Sequence, residues 1–190
     1  LWLGSMAAVM GGYFLFDSGN TETVIASLIG VTSLIFNAKG NPIGQVLMVI
    51  FSLLYGIISY EYCYYGEMIT YLGMTLPMAL VALISWLKHP YKGEKAQVEI
   101  GKMGKRAWET GCVLTIFVTV MFYFILKSLN TANLLPSTIS VATSFFAAYL
   151  TYMRSAWFAV AYAANDVVLI VLWVLAAERD PSCVSVIVCF

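Results

Sequence analysis

The chain has 190 residues, 61% of them hydrophobic and only 11% charged, with ten Lys and Arg balancing ten Asp and Glu. A soluble domain carries about 25% charged residues, so this chain cannot cover itself with polar surface, and lipid is the expected solvent. A net charge of zero leaves no basic footprint for nucleic acid.

A bilayer core of about 30 Å needs roughly 20 helical residues. The apolar runs here are continuous rather than alternating, which predicts helices and not barrel strands. The first run covers 1–16; it is glycine-rich and lacks a basic n-region, so it does not read as a signal peptide. Because the chain begins at Leu1 without Met and stops inside an apolar run, it is expected to be part of a longer protein. The turn Asp17-Ser-Gly-Asn20 leads to a run at 21–37. The turn Lys39-Gly-Asn-Pro42, with Pro42 suited to a first helical turn, leads to a third run at 42–62. A fourth run spans 68–88 and carries Pro77 in its middle, which predicts a freed carbonyl, a kink and a candidate hinge. The polar stretch 89–107 reads as an ordinary cytoplasmic linker attracted to anionic lipid. Runs at 108–127, 134–153 and 156–177 follow. Pro136 suits the opening of the sixth run, and Pro181 opens an eighth that is cut at Phe190.

Charge sets the orientation. Lys39, Lys88, Lys92, Lys95, Lys102, Lys105, Arg106 and Arg154 fall in alternate loops, and only Lys127 and Arg179 fall between them. Asp17, Glu22, Glu61, Glu67, Glu178 and Asp180 occupy the other set, where Glu61 and Glu67 are expected to be solvated. By the positive-inside rule, the N-terminus and the 89–107 loop are cytoplasmic. Small residues recur four apart (Gly4, Ala8 and Gly12; Ala26 and Gly30; Ser140, Ser144 and Ala148; Ala159 and Ala163), as close helix packing requires.

Runs two to four and six to eight share a layout. Each triplet starts outside and has a short inner turn bearing one cation, Lys39 or Arg154. Each then has a long helix ending in aromatic and acidic residues. With the fifth run between them, the arrangement is a parallel repeat. The expected fold is an all-α polytopic membrane protein: an extra N-terminal helix (1–16), a first three-helix repeat (18–88), a loop and linker helix (89–133) and a second, truncated repeat (134–190).

Asp166 is the strongest functional candidate, because a carboxylate near the middle of a span must face a cavity or a partner. With Asn165 it offers donors and acceptors suited to hydroxyls or a carboxamide. An interhelical structural hydrogen bond, to Ser144 or Thr143, is the alternative. Tyr162 and Trp173 lie one turn before and two turns beyond Asp166, where an aromatic ring could stack on a cationic ring or simply pack. Trp157, Trp86, Trp108 and the Tyr55–Tyr71 cluster fall near the expected interfaces; they suit an aromatic belt, with Trp157, Trp86 and Tyr55 also candidates to line a site. Cys63, Cys112, Cys183 and Cys189 form no CxxC pair and His89 is the lone histidine, so no metal, disulfide or cofactor is expected. Asp166 has no second carboxylate at its depth and no histidine base, so no catalytic residue is assigned; an intramembrane enzyme or a scaffold subunit stays a remote alternative to a carrier. The scarcity of deep charge favours a passive carrier.

The stretches Phe36-Asn-Ala-Lys-Gly-Asn-Pro42 and Ser52-Leu-Leu-Tyr-Gly-Ile-Ile-Ser-Tyr-Glu-Tyr-Cys-Tyr-Tyr-Gly-Glu67, then Leu76-Pro-Met78 and Trp86, with Asn165-Asp166 in the second triplet, resemble the PnuC family of nicotinamide riboside transporters. The resemblance implies a full-length SWEET-like fold in a bacterial inner membrane. It implies facilitated diffusion of a vitamin nucleoside, trapping of that substrate by phosphorylation, and a homo-oligomer such as a trimer. Two positions depart from the family pattern: Ala79 stands where many members have Gln, and Val160 where many have the second Trp of a pair begun by Trp157. Both bear on the choice between nicotinamide riboside, thiamine and riboflavin.

Overall fold

The computed structural model describes residues 2–16, 21–61, 65–131 and 133–177. Seven helices run through the described residues: α1 (Trp2–Phe16), α2 (Thr21–Ala38), α3 (Ile43–Glu61), α4 (Tyr65–Lys88), α5 (Lys105–Ser128), α6 (Leu134–Tyr152) and α7 (Phe158–Ala177). Of these, α3, α4, α5 and α6 are long and apolar enough to cross a bilayer. Helices α1, α2 and α7 are apolar over shorter windows, Trp2–Gly11, Val24–Ala38 and Phe158–Leu172. Each helix lies within three residues of its sequence-predicted limits. The eighth run lies outside the described residues.

Helix α1 packs on α2, α2 on α3, and α3 on α4; α4 then meets α6, which is flanked by α5 and α7. The junction is an apolar cluster of Met74, Phe122, Leu126, Val141 and Phe145 contributed by α4, α5 and α6. Outward-facing Ile84, Val113, Phe117, Phe124, Val160 and Val167 are exposed, a belt that water would not tolerate and lipid does. Hydroxyls within the spans are satisfied by their own helices: Thr115 donates to Gly111 O, Thr138 to Leu134 O and Thr151 to Ala147 O, as a bilayer interior demands.

Three features depart from the sequence expectation. The irregularity in α4 precedes Pro77: residues Tyr71–Thr75 form a π turn, in which the Leu76 N–H reaches Tyr71 O and Thr75 Oγ1 reaches Thr70 O at 3.3 Å. Widening the helix there accommodates a proline that has no N–H to give. Glu67, expected in a solvated loop, sits in the first turn of α4 and is partly buried. The 89–107 stretch is not a plain linker. It contains a short antiparallel hairpin, β1 (Pro90–Tyr91) and β2 (Glu94–Val98). Lys92 and Gly93 at its tip have φ of 49° and 83°, the pair of positive values that a tight two-residue hairpin needs.

The hairpin also gathers the cation-bearing loops. Val98 N–H donates to Gly40 O at 2.9 Å and Gly101 N–H to Arg154 O at 3.0 Å. The α2–α3 turn, the segment after α4 and the α6–α7 turn therefore share one end of the bundle.

Candidate functional site

A small cavity lies where α3, α4, α6 and α7 converge. Gln45 and Met48 come from α3, Thr75, Met78, Ala79 and Ala82 from α4, Ala148 and Thr151 from α6, and Tyr162 from α7. Its volume of about 10 Å³ is room for roughly one water. Four of its nine lining side chains can hydrogen-bond, an unusual concentration for the interior of an apolar bundle.

The polar wall on α3 is held by a buried network. Gln45 Nε2 donates to Asn37 Oδ1 at 2.9 Å, Asn37 Nδ2 donates to Ser33 Oγ at 3.4 Å, and Ser33 Oγ donates to Gly44 O at 2.8 Å. These residues pair because an unpartnered amide in lipid is costly. Gly44 makes the approach possible: a Cβ there would run into the Asn37 amide and backbone nitrogen. Asn41 Oδ1 accepts from Ile43 N–H at 2.9 Å and so starts α3, the usual use of a short polar side chain at a helix entrance.

On the other wall, Tyr162 reaches the cavity from α7, where it lines the space together with Thr151 of α6. Asn165 is buried, and its Oδ1 accepts from Thr143 Oγ1 at 2.7 Å, tying α7 to α6. Asp166 is partly buried on the Tyr162 side of α7, without a hydrogen-bond partner among the described residues. The amide thus carries the interhelical bond, and Asp166 is not among the residues that line the cavity.

The remaining sequence candidates are distributed differently. Trp86 is 1% exposed and lies behind the cavity wall, where its indole N–H donates to Thr151 O at 2.8 Å. Ser144 Oγ back-bonds to Ser140 O at 2.7 Å, one turn from Ala148. The Tyr55 ring stacks with Tyr71 at 4.6 Å and Phe51 at 5.4 Å, away from the cavity lining. Trp157 is 60% exposed and lines a separate apolar groove of about 250 Å³ with Trp108, Thr143, Phe146, Leu150 and Val160 on the outer side of α5, α6 and α7. Pro77 is exposed just past the π turn. Trp173 belongs to α7, but its side chain lies outside the described part. Sequence reasoning missed Gln45, Thr75 and Thr151. The signal was there for Gln45, a long amide inside an apolar run, while the two threonines look like any others. Of the two departures from the family pattern, Ala79 is on the cavity wall and Val160 is in the outer groove.

Residues 20–190 match the family model described as nicotinamide mononucleotide transporter. A curated relative, the nicotinamide riboside transporter PnuC of Neisseria mucosa, is 26% identical over 157 residues, which are 81% of this chain and 60% of the relative. The chain therefore spans about 60% of that relative's length. Among solved structures, the crystal structure of the vitamin B3 transporter PnuC has a TM-score of 0.78 at 21% identity, over 99% of this chain and 83% of the other. At that identity, the likeness is one of fold.

Proposed function

The chain belongs to the nicotinamide mononucleotide transporter family, and from that premise we propose that it carries nicotinamide riboside by facilitated diffusion, with phosphorylation inside the cell trapping what enters. The observation that carries this reading is the meeting of Gln45, Thr75, Thr151 and Tyr162, from four helices, at one point in the apolar interior. Nicotinamide riboside offers a cationic ring, a carboxamide and ribose hydroxyls. A tyrosine face attracts the ring, a carboxylate at Asp166 complements its charge, and amide and hydroxyl side chains pair with the rest. At about 10 Å³ the cavity is far smaller than a nucleoside, so binding requires α4 and α6 to separate.

The charge inventory supports uniport. In the middle third of each described span, Asp166 is the only charged side chain, whereas coupled carriers use chains of acidic groups for their ions. The expected location is a bacterial inner membrane with the cation-rich end in the cytoplasm. The expected assembly is a homo-oligomer such as a trimer, without cofactor or catalytic activity.

Flux into proteoliposomes tests the reading. Labelled nicotinamide riboside is expected to equilibrate saturably, to exchange against unlabelled substrate, and to ignore a protonophore. Uphill accumulation that a protonophore abolishes would remove the passive mechanism. Calorimetry with nicotinamide riboside, thiamine and riboflavin ranks the vitamins, and tighter binding of thiamine would reassign the substrate.

A further inference from the structure

We infer that the hairpin strap at 89–104 is a latch that holds the cation-rich ends of the two helix groups together and must release for the cavity to open on that side. The inference rests on the carrier reading above.

The strap bridges two bodies. Within the first group it continues α4, is tied to itself by Glu99 N–H donating to His89 O at 2.9 Å, and is seated on the α2–α3 turn through Val98 N–H and Gly40 O. Gly40, at φ 68°, brings its Cα face against the Val98 side chain, where an added Cβ would stand 3.5 Å from Cγ1. The strap then crosses to the second group. Gly101 N–H donates to Arg154 O, and Arg154 Nη1 donates back to Glu99 O at 3.5 Å. The crossing is close: a Cβ on Gly101 would collide with the Met153 carbonyl oxygen. Arg154 holds a left-handed φ of 57°, and its Nε is buried without a partner, so its side chain is only partly satisfied in this arrangement.

Directly above this crossing, α4 clamps the end of α6. Ser85 Oγ donates to Tyr152 O at 2.9 Å and the Trp86 indole to Thr151 O at 2.8 Å. Thr151 is itself a cavity wall, so strap and clamp lie in series over one end of the cavity. The hold is polar. Tyr91 and Ile100 of the strap stay exposed rather than forming a core beneath it. A few hydrogen bonds at a wet surface are each worth little net, so they suit a closure that has to reverse. The opposite side of the α4–α6 contact is the apolar cluster around Met74 and Phe145, which suits a pivot.

The test reads opening without substrate. Cys63, Cys112, Cys183 and Cys189 are replaced by Ser, and Ala148→Cys is introduced as a reporter on the cavity wall. Its labelling by a membrane-impermeant maleimide is then timed in vesicles of each orientation. Gly101→Ala drives a methyl into the Met153 carbonyl. It is expected to raise labelling from the cation-rich face about fivefold, the population shift that losing one or two exposed hydrogen bonds brings, with no change from the other face. Should Gly101→Ala fail to fold, Arg154→Gly carries the test. Glycine suits the positive φ, only the side-chain bond is lost, and about a twofold rise is expected. Unchanged labelling in the folded variants, or an equal rise from both faces, overturns the latch. Loss of nicotinamide riboside flux in a parent whose reporter still responds overturns the substrate assignment instead and leaves the latch standing.

Discussion

In the α2–α3 hairpin, Ser33, Asn37 and Gln45 satisfy one another close to the turn, and Gly44 lets the helices touch. In the α6–α7 hairpin, one hydrogen bond from Thr143 to Asn165 ties the helices deep in the span, and Asp166 beside it has no such partner among the described residues. The same requirement governs both: a polar group removed from water must be paired or must face something polar. A network that closes on itself fastens a hairpin. An amide that is engaged next to a carboxylate that is not can take a ligand. The first hairpin supplies Gln45 to the cavity wall, and under the proposed function the second carries the carboxylate that substrate would meet.

The strongest way to break this comparison is at the fastener. Gly44→Val places its side chain on the Asn37 amide and backbone nitrogen, with no flexible neighbour to yield, and is expected to abolish a monodisperse gel-filtration peak. A well-behaved Gly44→Val protein would mean that the hairpin is not held by close contact. Asn37→Ala is milder. It leaves the Gln45 amide without its acceptor, while Ser33 keeps its bond to Gly44 O, at about 1–3 kcal/mol for a buried polar group left unsatisfied, and the thermal midpoint is expected to fall while binding remains measurable. Asp166→Ala should behave in the opposite way. Yield and midpoint stay near those of the parent, and calorimetry shows affinity for nicotinamide riboside at least about tenfold weaker, or about 1.4 kcal/mol. Normal binding by a folded Asp166→Ala protein removes that residue from the site. The smallest effect is expected for Thr143→Val, which loses one interhelical hydrogen bond, about 0.6 kcal/mol by the average for such bonds in membranes. A drop as large as that of Asn37→Ala would make the second hairpin a fastener as well, and the contrast would fail.

How far the sequence reaches is visible in particular residues. Helix limits were legible because lipid imposes length and continuity on apolar runs, and because Lys39, Pro42, Lys88 and Asn133 interrupt them where the helices stop or start. Asp166 drew notice because a lone carboxylate inside a span has few reasons to be there, yet the residues that line the cavity do not include it. The strap was not read, although Lys92-Gly93 between short polar segments is a fair hairpin signal; its strands are too short and too polar to stand out beside spans of some twenty residues. Trp86 and Trp157 illustrate the limit at the site. Both sit near a helix end and look alike in sequence, yet one is sealed against Thr151 and the other opens onto an outer groove.

The sequence alone determined that the chain lives in lipid, where its helices run, and which of its loops carry cations, since burial of apolar runs and the cost of charge are local properties of composition. Only the tertiary structure decided which helix faces meet. Gln45, Thr75, Thr151 and Tyr162 are spread over 118 positions, from 45 to 162, and no local energy term brings them to one cavity. The packing of α4 against α6, and the strap that crosses above it, do that.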